Sequence, residues 1–143
     1  MGETTAPRPE DCPNGLDAHG RKTGLWSDLD QHGGSMVGEY ADGRRQGVWR
    51  HFSDDGRLRS EGPFQDGLVA GRWTWWRANG ELLQRGGFDD AEAKHGLWER
   101  WTAEGAPLDR GEYDHGRKTG EWTAFNPDGT VRKATRHRPR KGA

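Results

Sequence analysis

Residue types that often carry chemistry are present in this 143-residue chain, but they do not form a catalytic set. The hexapeptide His-Gly-Arg-Lys-Thr-Gly occurs twice, at 19–24 and 115–120. Lys-Thr-Gly is an element of serine β-lactamases, but the chain has no Ser-x-x-Lys to supply the nucleophile. The first copy also misses the spacing of a phosphate-binding loop by one residue and has no apolar strand before it. The sequence therefore predicts that the protein is not an enzyme.

Metal and cofactor chemistry is not predicted either. The six histidines are at least thirteen residues apart, and none belongs to a His-x-x-x-His or Cys-His cluster. Structural zinc sites draw on such closely spaced ligands, so we predict no metal site and no cofactor. The single cysteine, Cys12, has no partner for an internal disulfide, which is typical of a protein in a reducing cytoplasm.

The dominant feature of the chain is a repeat that positions aromatic side chains. Five tryptophans recur at intervals of 23 to 25 residues, each with a glycine two residues before it and another seven residues after it. We call them the ladder tryptophans: Trp26, Trp49, Trp73, Trp98 and Trp122. A period of this length indicates one supersecondary unit stacked on copies of itself. Such arrays usually present a surface for binding.

Each repeat contains two runs of strand length separated by turn residues. The turn within a repeat ends in glycine, as in Asp54-Asp55-Gly56, which fits a hairpin turn that needs positive φ. Turns between repeats read Asp42-Gly43, Asp66-Gly67 or His115-Gly116. The sequence therefore predicts an all-β fold: an antiparallel β-meander of about five tandem hairpin repeats and about ten short strands, forming an elongated, twisted single sheet.

Strand alternation leaves two arrangements open for the aromatic residues. Trp49 and Phe52 are three residues apart, so strict alternation places them on opposite faces of the sheet. A bulge between the two could instead return both to one face. With opposite faces, the sheet carries an aromatic row on each side, and one row is exposed unless something covers it.

Composition and charge limit the class of protein. No stretch reaches the roughly 20 apolar residues that span a bilayer, and the N-terminus lacks a secretory pattern, so we expect a cytoplasmic location. We predict a flexible segment at 1–15, repeats at 16–131 and a basic tail at 132–143. The tail supplies six of the 22 basic residues and no acid: Arg132, Lys133, Arg136, Arg138, Arg140 and Lys141. It either engages an anionic surface or limits edge-to-edge association of the last strand.

The repeat resembles the MORN repeat, in the variant form of bacterial YwqK-type antitoxin proteins. The matching motif, Asp-Gly-x-x-x-Gly-x-Trp-x-x-aromatic-x-x-x-Gly-x-Leu, is seen best at 42–58 and 66–82. The segment 111–120 also looks like the more widely shared MORN signature, and the resemblance extends over about 16–131. It implies a binding module from a toxin–antitoxin system, whose partner is a toxin protein.

Candidate binding residues come from the most irregular part of the array. The position two residues after a ladder tryptophan is aromatic only in the third repeat, where it is Trp75. Either Trp75 is an exposed anchor in an interface, a place where Trp and Arg are common, or it shields the central sheet. The partner-binding hypothesis names Arg72, Trp75, Trp76, Arg77 and Trp101.

The leading functional hypothesis is a non-catalytic, cytoplasmic protein-binding module, an antitoxin or immunity protein that captures a toxin on its sheet. The alternative is a membrane-associated scaffold whose basic tail meets anionic phospholipid. The acidic body of the chain argues against nucleic acid as the partner. The sequence does not determine the oligomeric state, the partner, or which face of the sheet is covered.

Overall fold

The computed structural model describes residues 6–138, which form twelve β-strands and one short 3-10 helix, η1 (Pro9–Asp11). Contacts divide the chain into two compact units, unit 1 (Met1–Gly67) and unit 2 (Leu68–Ala143). The described part of the chain contains no helix that is long and apolar enough to cross a membrane. The all-β class predicted from the glycine and tryptophan pattern is confirmed.

Unit 1 is an antiparallel meander in which each strand pairs with the next along the chain. Its strands are β1 (Gly15–Leu16), β2 (Lys22–Leu29), β3 (Ser35–Ala41), β4 (Arg44–Phe52) and β5 (Leu58–Gln65). The first two repeats correspond to the hairpins β2–β3 and β4–β5, as predicted.

Unit 2 repeats this arrangement with three hairpins, again with each strand of β7 to β12 paired to its sequence neighbour. Its strands are β6 (Leu68–Val69), β7 (Gly71–Trp76), β8 (Leu82–Phe88), β9 (Lys94–Trp101), β10 (Pro107–Asp114), β11 (Arg117–Phe125) and β12 (Val131–His137). The predicted meander of tandem hairpins is therefore confirmed.

Turn geometry follows the predicted chemistry. Gly56 has φ of 84°, and its N–H donates to the Ser53 carbonyl at 2.9 Å, which closes the hairpin between β4 and β5. The irregular turn at 89–93 lacks a glycine, and Glu92 takes the left-handed conformation there with φ of 64°. Five residues connect β8 and β9, whereas two connect β3 and β4.

The sheet carries aromatic residues on both faces, which settles the question that alternation left open. Within a hairpin, a bulge lies in the second strand: His51 pairs with Ser60, and Phe52 pairs with Leu58. Register shifts also occur between hairpins, but the one between β3 and β4 ends at Arg50, and Trp49 to His51 pair continuously with β5. Alternation along β4 is therefore unbroken between Trp49 and Phe52, and the two side chains point to opposite faces. In each unit, we call the side that carries the ladder tryptophans the ladder face and the opposite side the reverse face. The first repeat, which is one residue short, has no such bulge.

Three of the buried ladder tryptophans, Trp49, Trp98 and Trp122, each lie against a glycine of the preceding hairpin, which we call its glycine seat. The Trp49 ring is fully buried, and a Cβ added to Gly38 on β3 would lie 2.3 Å from it. The Trp49 indole N–H also donates to the Glu39 carbonyl at 3.1 Å. In unit 2, Trp98 lies over Gly86 in the same way. These contacts agree with a structural role of the ladder in a fold with little other apolar burial.

The N-terminal segment covers part of the reverse face of unit 1. Helix η1 lies near β2 and β3, and the Arg8 guanidinium is 4.9 Å from the centre of the Phe52 ring. Arg8 also donates to the Gly56 carbonyl at 2.8 Å. Phe52 is consequently buried, with 4% of its surface exposed. Residues 1–5 of the segment predicted as flexible lie outside the described residues, and its flexibility stays a prediction.

The predicted basic tail begins inside the last strand. Arg132, Lys133 and Arg136 belong to β12, and Arg138 directly follows it. Arg140 and Lys141 lie outside the described residues. The boundary between repeats and tail proposed from the sequence therefore falls within β12, whose last residues pair with β11.

Candidate functional site

Cationic side chains lie on the rings of the ladder face. They occupy the position four residues before a ladder tryptophan in four of the five repeats: Lys22, Arg45, Lys94 and Lys118. Their charged groups lie 4.4–4.7 Å from the centre of the tryptophan ring of the same repeat. At exposed sites such contacts contribute roughly 0.5–1 kcal/mol each. The ladder face is therefore a row of alternating cations and aromatic rings.

In unit 1, one carboxylate forms ion pairs with two of these cations. Asp28 accepts from the Lys22 amine at 3.0 Å and from the Arg45 guanidinium at 3.1 Å, and the Tyr40 hydroxyl also donates to it. Burial by itself raises the pKa of Asp28, but the hydrogen bonds from Tyr40, Lys22 and Arg45 outweigh this and lower it. The bond to Asp28 likewise raises the pKa of Lys22. Asp28 is therefore held as a carboxylate between two cations.

In unit 2, the corresponding region is an open groove of about 260 Å³ on the ladder face. The lining residues are Gln84, Lys94, Trp98, Arg100, Asp109, Tyr113, Lys118 and Trp122. Arg100 and Asp109 form a bidentate ion pair across β9 and β10, with N–O distances of 2.9 and 2.6 Å. The hydrogen bond to Asp109 raises the pKa of Arg100. Three cationic side chains and one carboxylate give this groove a net charge of +2.

The reverse face of unit 2 carries half-exposed aromatic rings beside arginines. The Arg85 guanidinium is 5.2 Å from the centre of the Trp101 ring, and the Arg110 guanidinium is 5.4 Å from the centre of the Phe125 ring. Arg85 also donates to Glu99 at 3.1 Å. In unit 1 the equivalent Phe52 is covered by Arg8 and buried, whereas Trp101 and Phe125 in unit 2 are partly exposed.

The structure brings together most of the residues named in the partner-binding hypothesis. Arg72, Trp76 and Trp101 share the reverse face, since Arg72 lies 3.8 Å from Glu99 and Trp76 is three residues past Trp73 on β7. Arg77, at the end of β7, donates to the Trp101 carbonyl at 2.9 Å.

Trp75 does not lie with the others. It is on the ladder face, where its ring stacks on those of Trp73 and Trp98 at centroid distances of 6.1 and 5.5 Å. It also meets Phe88 edge-on at 6.2 Å. Of the two roles considered from the sequence, this geometry favours shielding of the sheet over that of an exposed anchor next to Trp76 and Trp101.

Two histidines that are distant in sequence meet in unit 2. His95, Asp114 and His115 place one ligand atom each within 4.8 Å of one another, and this is the kind of set that could hold a metal ion. However, His95 Nδ1 accepts the backbone N–H of His115 at 3.1 Å. The side chain of Gln46 accepts the backbone N–H of Asp66 at the equivalent place in unit 1. The role of His95 is thus accounted for by the turn it stabilises.

The basic residues assigned to the tail do not form one surface. Lys133 pairs with Ala124 and lies on the ladder face, where it lines a second groove with Lys118 and His137. Arg136 pairs with Glu121 and lies on the reverse face. The charges of β12 are therefore divided between the two sides of the sheet.

Sequence reasoning missed the cations of the ladder face, although a signal was present. Lysine or arginine precedes the ladder tryptophan by four residues in every repeat except the third, where the residue is Val69. Aligning charged residues on the same period would have found this row.

Comparison with known proteins supports the presence of a MORN-type repeat in this chain. A family model described as MORN repeat variant matches residues 45–66, which span most of the hairpin β4–β5. MORN repeats generally act as modules that bind proteins or membranes. No curated protein sequence matches the chain.

One similar solved structure is a crystal structure of an S. aureus TarM mutant in complex with Fondaparinux, alpha-GlcNAc-glycerol and UDP. It is 10% identical over 67% of this chain, with a TM-score of 0.36. The chain spans about one fifth of the length of that protein, as 21% of it is covered.

Proposed function

We propose that this array of MORN-type hairpins is a non-catalytic protein-binding module, and that it acts as a bacterial, cytoplasmic antitoxin of YwqK type that captures a toxin protein. The observation that carries the proposal is the cluster of half-exposed rings on the reverse face of unit 2, namely Trp76, Trp101 and Phe125. We call this cluster the reverse-face cluster. The match of one hairpin to the MORN repeat variant supports the choice of a binding role.

The chemistry of the cluster suits a protein partner. Tryptophan and arginine are enriched among the residues that dominate binding energy at interfaces. Arg85 and Arg110 hold their guanidinium groups over Trp101 and Phe125, so these rings need little rearrangement to receive a partner. Exposed Arg72 and Arg110 at the border can pair with carboxylates of the partner.

Toxin capture is tested by co-expression. The gene for a protein that co-purifies stoichiometrically from the native cells is expressed alone and together with this chain, and cell growth is measured. Growth arrest that this chain relieves supports the proposal. A co-purifying protein that is harmless on its own contradicts the antitoxin role, and the absence of any stoichiometric protein contradicts the binding module.

Two tryptophan variants locate the binding face. We expect Trp101→Ala to weaken partner affinity at least tenfold, because it removes a half-exposed ring and the surface on which the Arg85 guanidinium lies. Trp75→Phe is the matched control, since it keeps an aromatic ring on the opposite face. Isothermal titration calorimetry measures both affinities, and circular dichroism confirms folding. Equal losses in the two variants would place the binding site elsewhere.

A membrane-associated scaffold is the competing function, and the basic residues of the ladder face and β12 favour it. Four basic residues are exposed on one face of unit 2, namely Lys94, Arg100, Lys118 and Lys133. An anionic lipid surface attracts each such residue by about 1 kcal/mol. Co-sedimentation with vesicles containing phosphatidylserine tests it. Binding that weakens with salt and is lost when Arg132, Lys133 and Arg136 are replaced by glutamine would support the scaffold over the antitoxin.

A further inference from the structure

The two units differ in whether a carboxylate pairs with the cations that precede the ladder tryptophans, and this difference indicates a ligand. In unit 1, the cations of consecutive repeats, Lys22 and Arg45, converge on the carboxylate of Asp28. Asp28 lies two residues after the ladder tryptophan Trp26, and Met36 is its partner across the strand pair. The protein itself therefore shows that a carboxylate fits between two cations of neighbouring repeats, beside a tyrosine hydroxyl.

In unit 2, the equivalent cations lack such a carboxylate. Lys94 and Lys118 precede their tryptophans by the same four residues as Lys22 and Arg45. The residue at the place of Asp28 is Arg100, and the residue at the place of Met36 is Asp109. Among residues 6–138, no carboxylate oxygen lies within 4.0 Å, the distance limit for an ion pair, of the Lys94 or Lys118 amine.

Asp109 does not fill this role, because it is already engaged. Both of its oxygens accept from Arg100, at 2.9 and 2.6 Å, and its side chain is 19% exposed. The lysine amines instead face ring surfaces, with Lys94 4.7 Å from Trp98 and Lys118 4.5 Å from Trp122. A ring face attracts a cation less strongly than a carboxylate does, so both amines retain capacity for an anion.

The groove between these residues has room for a small group. Its volume is about 260 Å³, and Tyr113 lines it at the place that Tyr40 has in unit 1. Tyr113 makes the same ring contacts as Tyr40, edge-on to the ladder tryptophans at 6.1 and 5.1 Å. Positive charge, a hydroxyl donor and open volume therefore coincide on the ladder face of unit 2.

We propose that this groove binds a carboxylate group between Lys94, Lys118 and Tyr113, at the place that the carboxylate of Asp28 fills in unit 1. The ligand is a small carboxylate or the carboxylate of a larger molecule that reaches the groove. This site lies on the face opposite the reverse-face cluster. It thus goes beyond the proposed protein-binding function, and either can fail without the other.

Acetate is the probe, and the indole N–H signals of the full-length protein are the readout in nuclear magnetic resonance. We expect saturable shifts at Trp98 and Trp122, whose rings line the groove, at constant ionic strength maintained with chloride. Trp26 and Trp49 are internal controls, because Asp28 already occupies the corresponding place beside them. Shifts of all four signals to the same extent, or none at Trp98 and Trp122, would overturn the proposal.

A double variant transfers the arrangement of unit 1 into unit 2. Arg100→Asp with Asp109→Met installs the residues found at 28 and 36, so an internal carboxylate should occupy the groove. We expect the affinity for acetate to fall at least tenfold. Should the double variant not fold, Lys118→Gln serves as the second variant, with the same expected loss. Retained acetate affinity in the folded variants contradicts the site.

Inorganic phosphate separates a carboxylate site from a general anion site. The wild-type protein is titrated with phosphate under the same conditions as with acetate. We expect acetate to bind at least fivefold more tightly, because the place is shaped by a carboxylate in unit 1. Phosphate binding that equals or exceeds that of acetate would overturn the assignment and favour a phosphate-bearing ligand, such as a lipid headgroup.

Discussion

At the scale of single residues, the repeats differ most at the position two residues after each ladder tryptophan. The residues there are Asp28, His51, Trp75, Arg100 and Ala124. In unit 1, Asp28 forms ion pairs with two cations and His51 binds Asp30. In unit 2, Trp75 extends the aromatic stack, and Arg100 engages Asp109. Because the skeleton of glycine and tryptophan is shared, this one position determines the local chemistry of each repeat.

Two aspartate–histidine contacts make stability sensitive to acid. The hydrogen bond from His51, assisted by the backbone N–H groups of Gly34 and His32, lowers the pKa of Asp30 to about 2. His115 and the backbone N–H groups of Ala93 and Ala91 lower the pKa of Asp89 to about 2.

We expect both carboxylates to stabilise the fold above about pH 4 and to lose this contribution as the pH falls towards 2. The reason is that in the unfolded chain the two carboxylates take up protons near the ordinary pKa of 3.8, whereas in the folded chain they do so only near the lowered pKa of about 2. Urea unfolding at pH 2.5 and pH 6 measures the difference in free energy of unfolding. Asp30→Asn should reduce that difference, while Asp54→Asn, in an exposed turn, serves as the control. An unchanged difference in Asp30→Asn would contradict the assignment.

At the scale of the element, the packing of Trp49, Trp98 and Trp122 against a glycine constrains the strand before each of them. Gly38 on β3 has no space for a side chain, since a Cβ there would lie 2.3 Å from the Trp49 ring. A methyl group at this place forces the ring or the strand to move. The glycine is therefore required by the packing of its neighbour, although its own φ is not in the left-handed region.

We expect Gly38→Ala to destabilise the protein by about 1–3 kcal/mol, as overpacking of a well-packed core usually does. Gly15→Ala is the matched control in the same unit, because the nearest atom to a Cβ there is the Thr23 carbonyl oxygen at 3.9 Å. Thermal unfolding followed by circular dichroism compares the two. Equal stability of both variants would show that the Trp49 seat is loose.

The strands and turns could be predicted from the sequence because glycine and tryptophan mark them at a fixed period. The register could not, since the bulges within the hairpins fall at positions such as Arg59 that carry no special residue type. This is why alternation alone left the faces of Trp49 and Phe52 open. In the candidate site, the shared face of Trp76 and Trp101 agrees with the hypothesis. For Trp75 the sequence offered two roles, an exposed anchor or a shield of the sheet, and the choice between them depends on its three-dimensional neighbours Trp73 and Trp98.

At the scale of the whole molecule, the last strand of unit 2 presents a free edge. Among the described strands, β12 pairs only with β11. Exposed strand edges invite pairing with another chain, and basic side chains on the edge oppose it. Arg132, Lys133 and Arg136 are all exposed on this strand. This gives a structural role to residues that the sequence also offered as a tail for anionic surfaces.

We expect replacement of Arg132, Lys133 and Arg136 by threonine to increase self-association, since threonine keeps the strand propensity and removes the charge repulsion. Sedimentation velocity at several protein concentrations measures the oligomeric state. A matched variant with the three residues replaced by lysine keeps the charge and should behave as the wild type. A variant with threonine that sediments like the wild type would show that charge does not protect this edge.

The glycine seats also give the array a direction of growth. Trp49 rests on a glycine and a carbonyl group of the hairpin that precedes it in the chain, and Trp98 and Trp122 do the same within unit 2. During synthesis from the N-terminus, the glycine and the carbonyl group that each of these rings contacts emerge from the ribosome before the ring itself. Each new hairpin can therefore dock on a finished one, and the chain can fold by accretion while it is still being translated.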